Sequence, residues 1–211
     1  MAMRIVFVCT TNVWGSAMAE LISRRLLSEW DPDRERVQVF SVGVRAEVGA
    51  PMPAVAQQVL AERGIDASEH RARWMSPAVL GGADLTLTMG GIQRDAVLAL
   101  NPRGLRSTFT LQEAAVLLRG LPQVVGPMSA DADGHFRAVV AALAGARRFR
   151  SVAAGADDLP DLLADLRVVG PLSEALFRDV SGLLRALILP AFRAGDEDVW
   201  TGVPFAASAV A

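Results

Sequence analysis

The sequence has no lysine and no tyrosine, and among its 211 residues only one cysteine and two histidines. One cysteine excludes an internal disulfide, and two scattered histidines offer no ligand cluster, so neither a metal nor another cofactor is expected. No stretch approaches the ~18 uninterrupted apolar residues of a membrane-spanning helix. The chain enters a strand-like run almost at once, without the charged segment and cleavable apolar stretch of a signal peptide. These absences predict a soluble, cytoplasmic protein that makes no membrane contact. All 21 basic residues are arginine, against 23 acidic ones, for a formal charge of -2. Exclusive use of arginine reads as coding bias, and the balance offers no basic stripe, so no nucleic-acid partner is expected.

What is present is a globular composition, 52% hydrophobic and 21% charged, which is that of a folded rather than a disordered chain. The length suits a single domain over 1–211. Arg4–Val8 (RIVFV) is a short β-branched run, as expected of a strand buried on both faces. Further strands are predicted at Val37–Gly43, Asp84–Met89 and Ser107–Leu111. Helices are predicted after Ser16, whose hydroxyl is a candidate cap, and at Pro53–Arg63, Ile92–Leu100, Gln112–Arg119 and Ser173–Leu189. Strands alternating with helices imply a four-stranded parallel sheet with helices on both faces. Residues 120–165 break the alternation: they are rich in Ala, Gly and Asp, hold a predicted helix at His135–Leu143, and read as an insertion or cap. The tail, 195–211, carries Trp200, Val203 and Phe205. It is either a loose end or an arm that packs against something, a route to a homo-oligomer.

In such sheets ligands sit beyond the carboxyl ends of the strands, and Cys9 lies at the end of the first. If residues 10–15 wrap round towards the helix start, their N–H groups and the positive helix end form an anion cradle. A thiolate at its mouth would be stabilised, and the thiolate is the nucleophile. The competing reading makes Cys9 a small buried hydrophobe.

The stretch "VFVCTTNVWGSAMAE" resembles the low-molecular-weight protein tyrosine phosphatase family, whose loop runs V-C-x-G-N-x-C-R-S-P-x-A-E. "SVGV" at 41–44, "ERGIDASEHRAR" at 62–73, "ADLTLTM" at 83–89 and "STFTLQEAAVLL" at 107–118 extend the likeness, the last resembling an actinobacterial branch. The resemblance implies that Cys9 is the nucleophile, Ser16 stabilises its thiolate, Asn12 shapes the loop, and Thr10, Thr11, Val13, Trp14 and Gly15 line the anion site. It also exposes departures. The family's loop arginine is replaced by Gly15, its loop glycine by Thr11, and the aspartate of its Asp-Pro acid aligns with Gly170 (or, in the alternative "QVVGPMS", with Gly126). Arg45, Arg71, Arg73 and Arg167 are candidates to replace the cation, and Asp157, Asp158, Asp161 and Asp165 crowd the approach to Gly170. Trp14 either widens and flattens the pocket or packs against the insertion.

Three readings follow. The first is a relative without ordinary phosphatase activity that binds a small anionic ligand or a protein partner. In the second, Cys9 attacks a different acyl or phosphoryl substrate; the third is a working phosphatase with relocated groups. Arsenate reduction needs further cysteines, and Cys9 stands alone.

Overall fold

The computed structural model describes residues 2–30, 36–121, 132–149, 158–159 and 169–188. The tail 195–211, with Trp200, Val203 and Phe205, lies outside them, as do Arg167, Asp157, Asp161, Asp165 and Gly126.

Four parallel strands, β1 (Met3–Cys9), β2 (Val37–Gly43), β3 (Leu85–Thr88) and β4 (Thr108–Thr110), form one sheet in the order β2-β1-β3-β4. Alternation along β1 divides the core. Ile5, Phe7 and Cys9 point into the larger apolar cluster, Val6 and Val8 into the smaller one on the opposite face. This is the period of two of a strand buried on both sides. The larger cluster is covered by α1 (Gly15–Trp30), α2 (Ala54–Ala61), α5 (Leu111–Gly120), α6 (Ala132–Arg147) and α7 (Val169–Ile188). The smaller lies under α3 (Pro77–Gly81) and α4 (Gly91–Leu100), which supply Leu80 and Val97. Truncating a fully buried side chain such as Phe7 or Phe109 costs about 3–5 kcal/mol by the usual core scale.

Connections leave β1 towards β2 on one side, and the chain returns to β3 on the other. The strand order therefore reverses between β1 and β3, where open α/β sheets place their ligands. Cys9 ends β1 there, and Met89 follows β3 with its N–H bonded to the Val8 carbonyl (2.9 Å).

Most elements shift by a residue or two from their expected bounds, and α3 is not among those expected; three helices differ in ways that bear on the site or the core. The helix α1 begins at Gly15, so Ser16 lies within the first turn and is not its cap; the Trp14 carbonyl receives the Met18 N–H instead (2.8 Å). Residues 169–172 join α7, which places Gly170 and Pro171 in its first turn, where a missing proline N–H is no loss. Helix α6 runs from 132 to 147 rather than 135 to 143. Its Phe136 and Leu143 are buried in the same core as α1 and α7. Arg147 anchors its end: the guanidinium lies 4.0 Å above the Phe109 ring, pairs with Glu113 (2.7 Å) and donates to the Thr108 carbonyl (2.6 Å). Glu113 also closes a capping box with Thr110 at the start of α5, which halts β4 one residue before Leu111. Among the described residues no helix is long and apolar enough to cross a membrane.

Candidate active site

The loop from Cys9 to Ser16 turns on one unusual residue. Asn12 has φ 59°, a left-handed conformation that asparagine tolerates better than most. Its side chain is fully used: Nδ2 donates to Ser16 Oγ (3.0 Å) and Ser41 Oγ (2.8 Å), and Oδ1 accepts from the Arg73 N–H (2.8 Å). Its N–H points at Cys9 Sγ (3.1 Å) and its carbonyl meets His70 Nε2 (2.7 Å). Burial, the largest influence, pushes the His70 imidazole below its ordinary value, against the Asn12 carbonyl and Glu20, which pull it up. His70 is thus neutral at pH 7 with its proton on Nε2, donated to that carbonyl.

Cys9 is buried, with Sγ 2.8 Å from Ser16 Oγ. Ser16 has one proton to give, and Asn12 already donates to its oxygen. With Cys9 as thiolate, that proton points at sulfur, which then accepts from Ser16 and from the Asn12 N–H. With Cys9 as thiol, the sulfur can donate to Ser16, which turns its own proton to the Val42 carbonyl (3.4 Å). The pocket floor accommodates both protonation states without moving a heavy atom.

Beneath the loop lies a charged layer. Ser41 accepts from Asn12 and donates to Glu20, whose carboxylate is 1% exposed and pairs with Arg73 and with Arg24 (2.5 Å). A buried carboxylate requires such partners. Gly43 is required for a steric reason: a Cβ there would lie 2.8 Å from the Thr10 carbonyl oxygen and 2.9 Å from the Asn12 nitrogen.

Above the sulfur is a cleft of about 60 Å³, room for a few waters. Cys9, Thr10, Thr11, Trp14 and Gly15 line it from the loop, joined by Met89 after β3 and Gln93 on α4. Leu159, Leu172 and Leu176 complete it with apolar surface. Gln93 donates to Thr10 Oγ1 (2.9 Å). Trp14 is 4% exposed, and its Nε1–H is sealed from solvent with no acceptor; leaving such a donor unpaired costs about 1–3 kcal/mol. The structure therefore gives Trp14 both a packing role and a place in the cleft wall.

Of the expected site residues, Cys9, Thr10, Thr11, Trp14 and Gly15 share the cleft, and Asn12 and Ser16 support it from below. Half-buried Val13 is not among the lining residues. Gly170 is exposed with open space around it, and the cleft is bounded two residues further on, by Leu172. The acid whose place is described is Asp158, which accepts from the Gly91 N–H (2.6 Å) at the start of α4, while the Leu159 N–H bonds the Met89 carbonyl (2.8 Å). No arginine lines the cleft among the described residues. Arg73 is committed to Glu20 beneath the loop, Arg71 to the Ser68 and His70 carbonyls, and Arg45 is exposed. Sequence reasoning assigned no role to Glu20, Ser41, His70 or Gln93. The first was detectable as a carboxylate four residues after Ser16, on the inward face of an amphipathic helix.

A family model for low molecular weight phosphotyrosine protein phosphatase matches residues 4–149. A probable low molecular weight protein-tyrosine-phosphatase, EpsP of Ralstonia solanacearum, is 38% identical over 109 residues, 52% of this chain and 70% of the relative. A protein-arginine-phosphatase of Geobacillus stearothermophilus is 33% identical over 114 residues, 54% of this chain and 72% of that one. The crystal structure of a low molecular weight protein tyrosine phosphatase from T. tengcongensis superposes with a TM-score of 0.60 at 25% identity, covering 87% of this chain and 99% of the other. With the family model matched over residues 4–149 and the fold shared, this chain belongs to the low molecular weight phosphotyrosine protein phosphatase family.

Proposed function

We propose that this protein is a member of the family without ordinary phosphomonoesterase activity, binding a small anionic ligand or a protein partner through the Cys9 loop. One observation carries the reading: among the described residues no guanidinium lines the cleft, position 15 is glycine, and Met89 fills the adjacent space. A cationic clamp on a transferring phosphoryl group is worth ~10³–10⁵ in rate. A general acid adds ~10²–10⁴, and Gly170 supplies none, while Asp158 is bonded to a backbone N–H. Losing both leaves the loop amides and the start of α1 to hold a phosphate, and nothing described to protonate its leaving group.

Hydrolysis of p-nitrophenyl phosphate is the test. Only a trace rate is expected. Turnover within the ~1–10³ s⁻¹ of ordinary enzymes, abolished in Cys9→Ser, overturns the reading and returns the chain to the working phosphatases.

A second reading draws on the intact partners of sulfur. Ser16, Asn12, Ser41 and Glu20 form a continuous buried chain to Cys9, an expensive arrangement for a residue that only packs. On this reading the Cys9 thiolate attacks an activated acyl group, expels its leaving group, and is released by water as a carboxylic acid. A mass increase on Cys9 after incubation with p-nitrophenyl acetate, absent in Cys9→Ser and stronger than in Ser16→Ala, supports it.

A further inference from the structure

We propose that the cleft selects a singly charged oxyanion carried on an apolar body and rejects phosphate dianions. The inference rests on the non-phosphatase reading above and names the ligand chemistry of the same site.

Charge is the first argument. The cleft meets the loop and the start of α1, whose end is equivalent to about half a positive charge, and no arginine lines it among the described residues. A single negative charge is matched by such a field; a second one is not. Asp158 sharpens the difference, because its carboxylate sits on the Gly91 N–H one residue from the lining Leu159. A dianion would meet that carboxylate with only the helix start, and no arginine among the described lining residues, to offset it.

The donors and walls point the same way. Trp14 lines the cleft, and its buried Nε1–H has no acceptor. It is a neutral donor, sealed in the unliganded cleft, that one ligand oxygen would satisfy once the ring turns to meet it. Met89, Leu159, Leu172 and Leu176 also line the cleft and favour a hydrocarbon body. A cleft of about 60 Å³ holds a head group and leaves that body against the leucines.

Isothermal titration of the full chain at pH about 8, where phosphate-type groups are doubly charged, tests this with benzenesulfonate, benzoate and phenylphosphonate. At least one of the two monoanions should bind about fivefold tighter than phenylphosphonate, and block alkylation of Cys9. The tighter of the two tells whether the natural head group is a sulfonate or a carboxylate. Trp14→Phe should weaken the preferred monoanion by about fivefold, the worth of one neutral hydrogen bond. If that variant does not fold, methanesulfonate on the wild-type chain replaces it and should bind more weakly than benzenesulfonate. Phenylphosphonate binding as tightly as both monoanions, or affinity indifferent to Trp14 and to the apolar body, overturns the proposal. Phenylphosphonate has no hydrolysable ester, so this outcome reports charge selection alone, whereas p-nitrophenyl phosphate turnover would overturn the reading beneath it.

Discussion

Met89 lies against Gly15: a Cβ at position 15 would stand 3.1 Å from Met89 Cγ and 3.2 Å from its Sδ. The space beside the loop's last residue is thus taken by a flexible thioether, which packs well in irregular gaps and moves aside at modest cost. Gly15→Arg must displace it. The variant should bind inorganic phosphate at least about tenfold more tightly, since a charge-assisted hydrogen bond contributes ~1.5–3 kcal/mol. Turnover should lag behind, because Gly170 and Asp158 still provide no proton. Calorimetry on both proteins checks this, and unchanged phosphate affinity would show that Met89 keeps the new side chain out of the cleft.

Asn12 combines a left-handed backbone with five hydrogen-bonded neighbours. Asn12→Ala should destabilise the protein by about 2–4 kcal/mol, because it leaves buried donors and acceptors unpaired on a strained φ. Asn12→Gly loses the same side chain without the steric penalty and should recover roughly 1 kcal/mol. Urea unfolding of the three proteins gives the comparison. Equal losses in the two variants would mean that the loop relaxes away from φ 59° once the side chain is gone.

His70 makes stability depend on pH. Its folded-state value is depressed, chiefly by burial, below the ~6.5 of an unfolded chain. Above that pH both states are neutral and His70 contributes no slope. As the pH falls through it, the unfolded state takes up the proton first, so stability declines until the folded value is passed. Unfolding free energies from pH 8 to 5 should fall for the native protein and less for His70→Gln. Parallel curves would assign the acid sensitivity to other groups.

Asp158 and Leu159 are held over the site by two backbone contacts, and Asp158 occupies the space that a side chain at Gly90 would need, 2.9 Å from its Cβ position. Asp158→Ala and Gly90→Ala should each loosen Leu159 and raise the rate of Cys9 alkylation by iodoacetamide severalfold, as losing one hydrogen bond of ~0.5–1.5 kcal/mol implies. Mass spectrometry reads this directly, since the chain has one cysteine. Rates unchanged in both variants would remove Leu159 from the cover of the cleft.

Local pattern was enough to determine the sheet. RIVFV is apolar because both faces of β1 are buried, and VQVFSVG is rich in β-branched residues with all but Gln38 and Phe40 buried, so each is visible in a few consecutive residues, and the alternation with helices dictates parallel order. The cysteine loop was also legible, because its residues are contiguous from Cys9 to Ser16. Helix starts were less so: Ser16 has the chemistry of a cap, but only the folded loop commits its hydroxyl to sulfur. What surrounds the loop was decided by tertiary structure. Ser41, His70 and Arg73 reach Asn12 from 29, 58 and 61 residues away, and no periodicity encodes a hydrogen bond across such separations. The same holds for the cleft. That Gly15 lacks a side chain is plain in the sequence; that Met89 fills the gap, Arg73 is spent on Glu20 and Trp14 keeps an unpaired donor follows only from packing three distant segments around one sulfur atom.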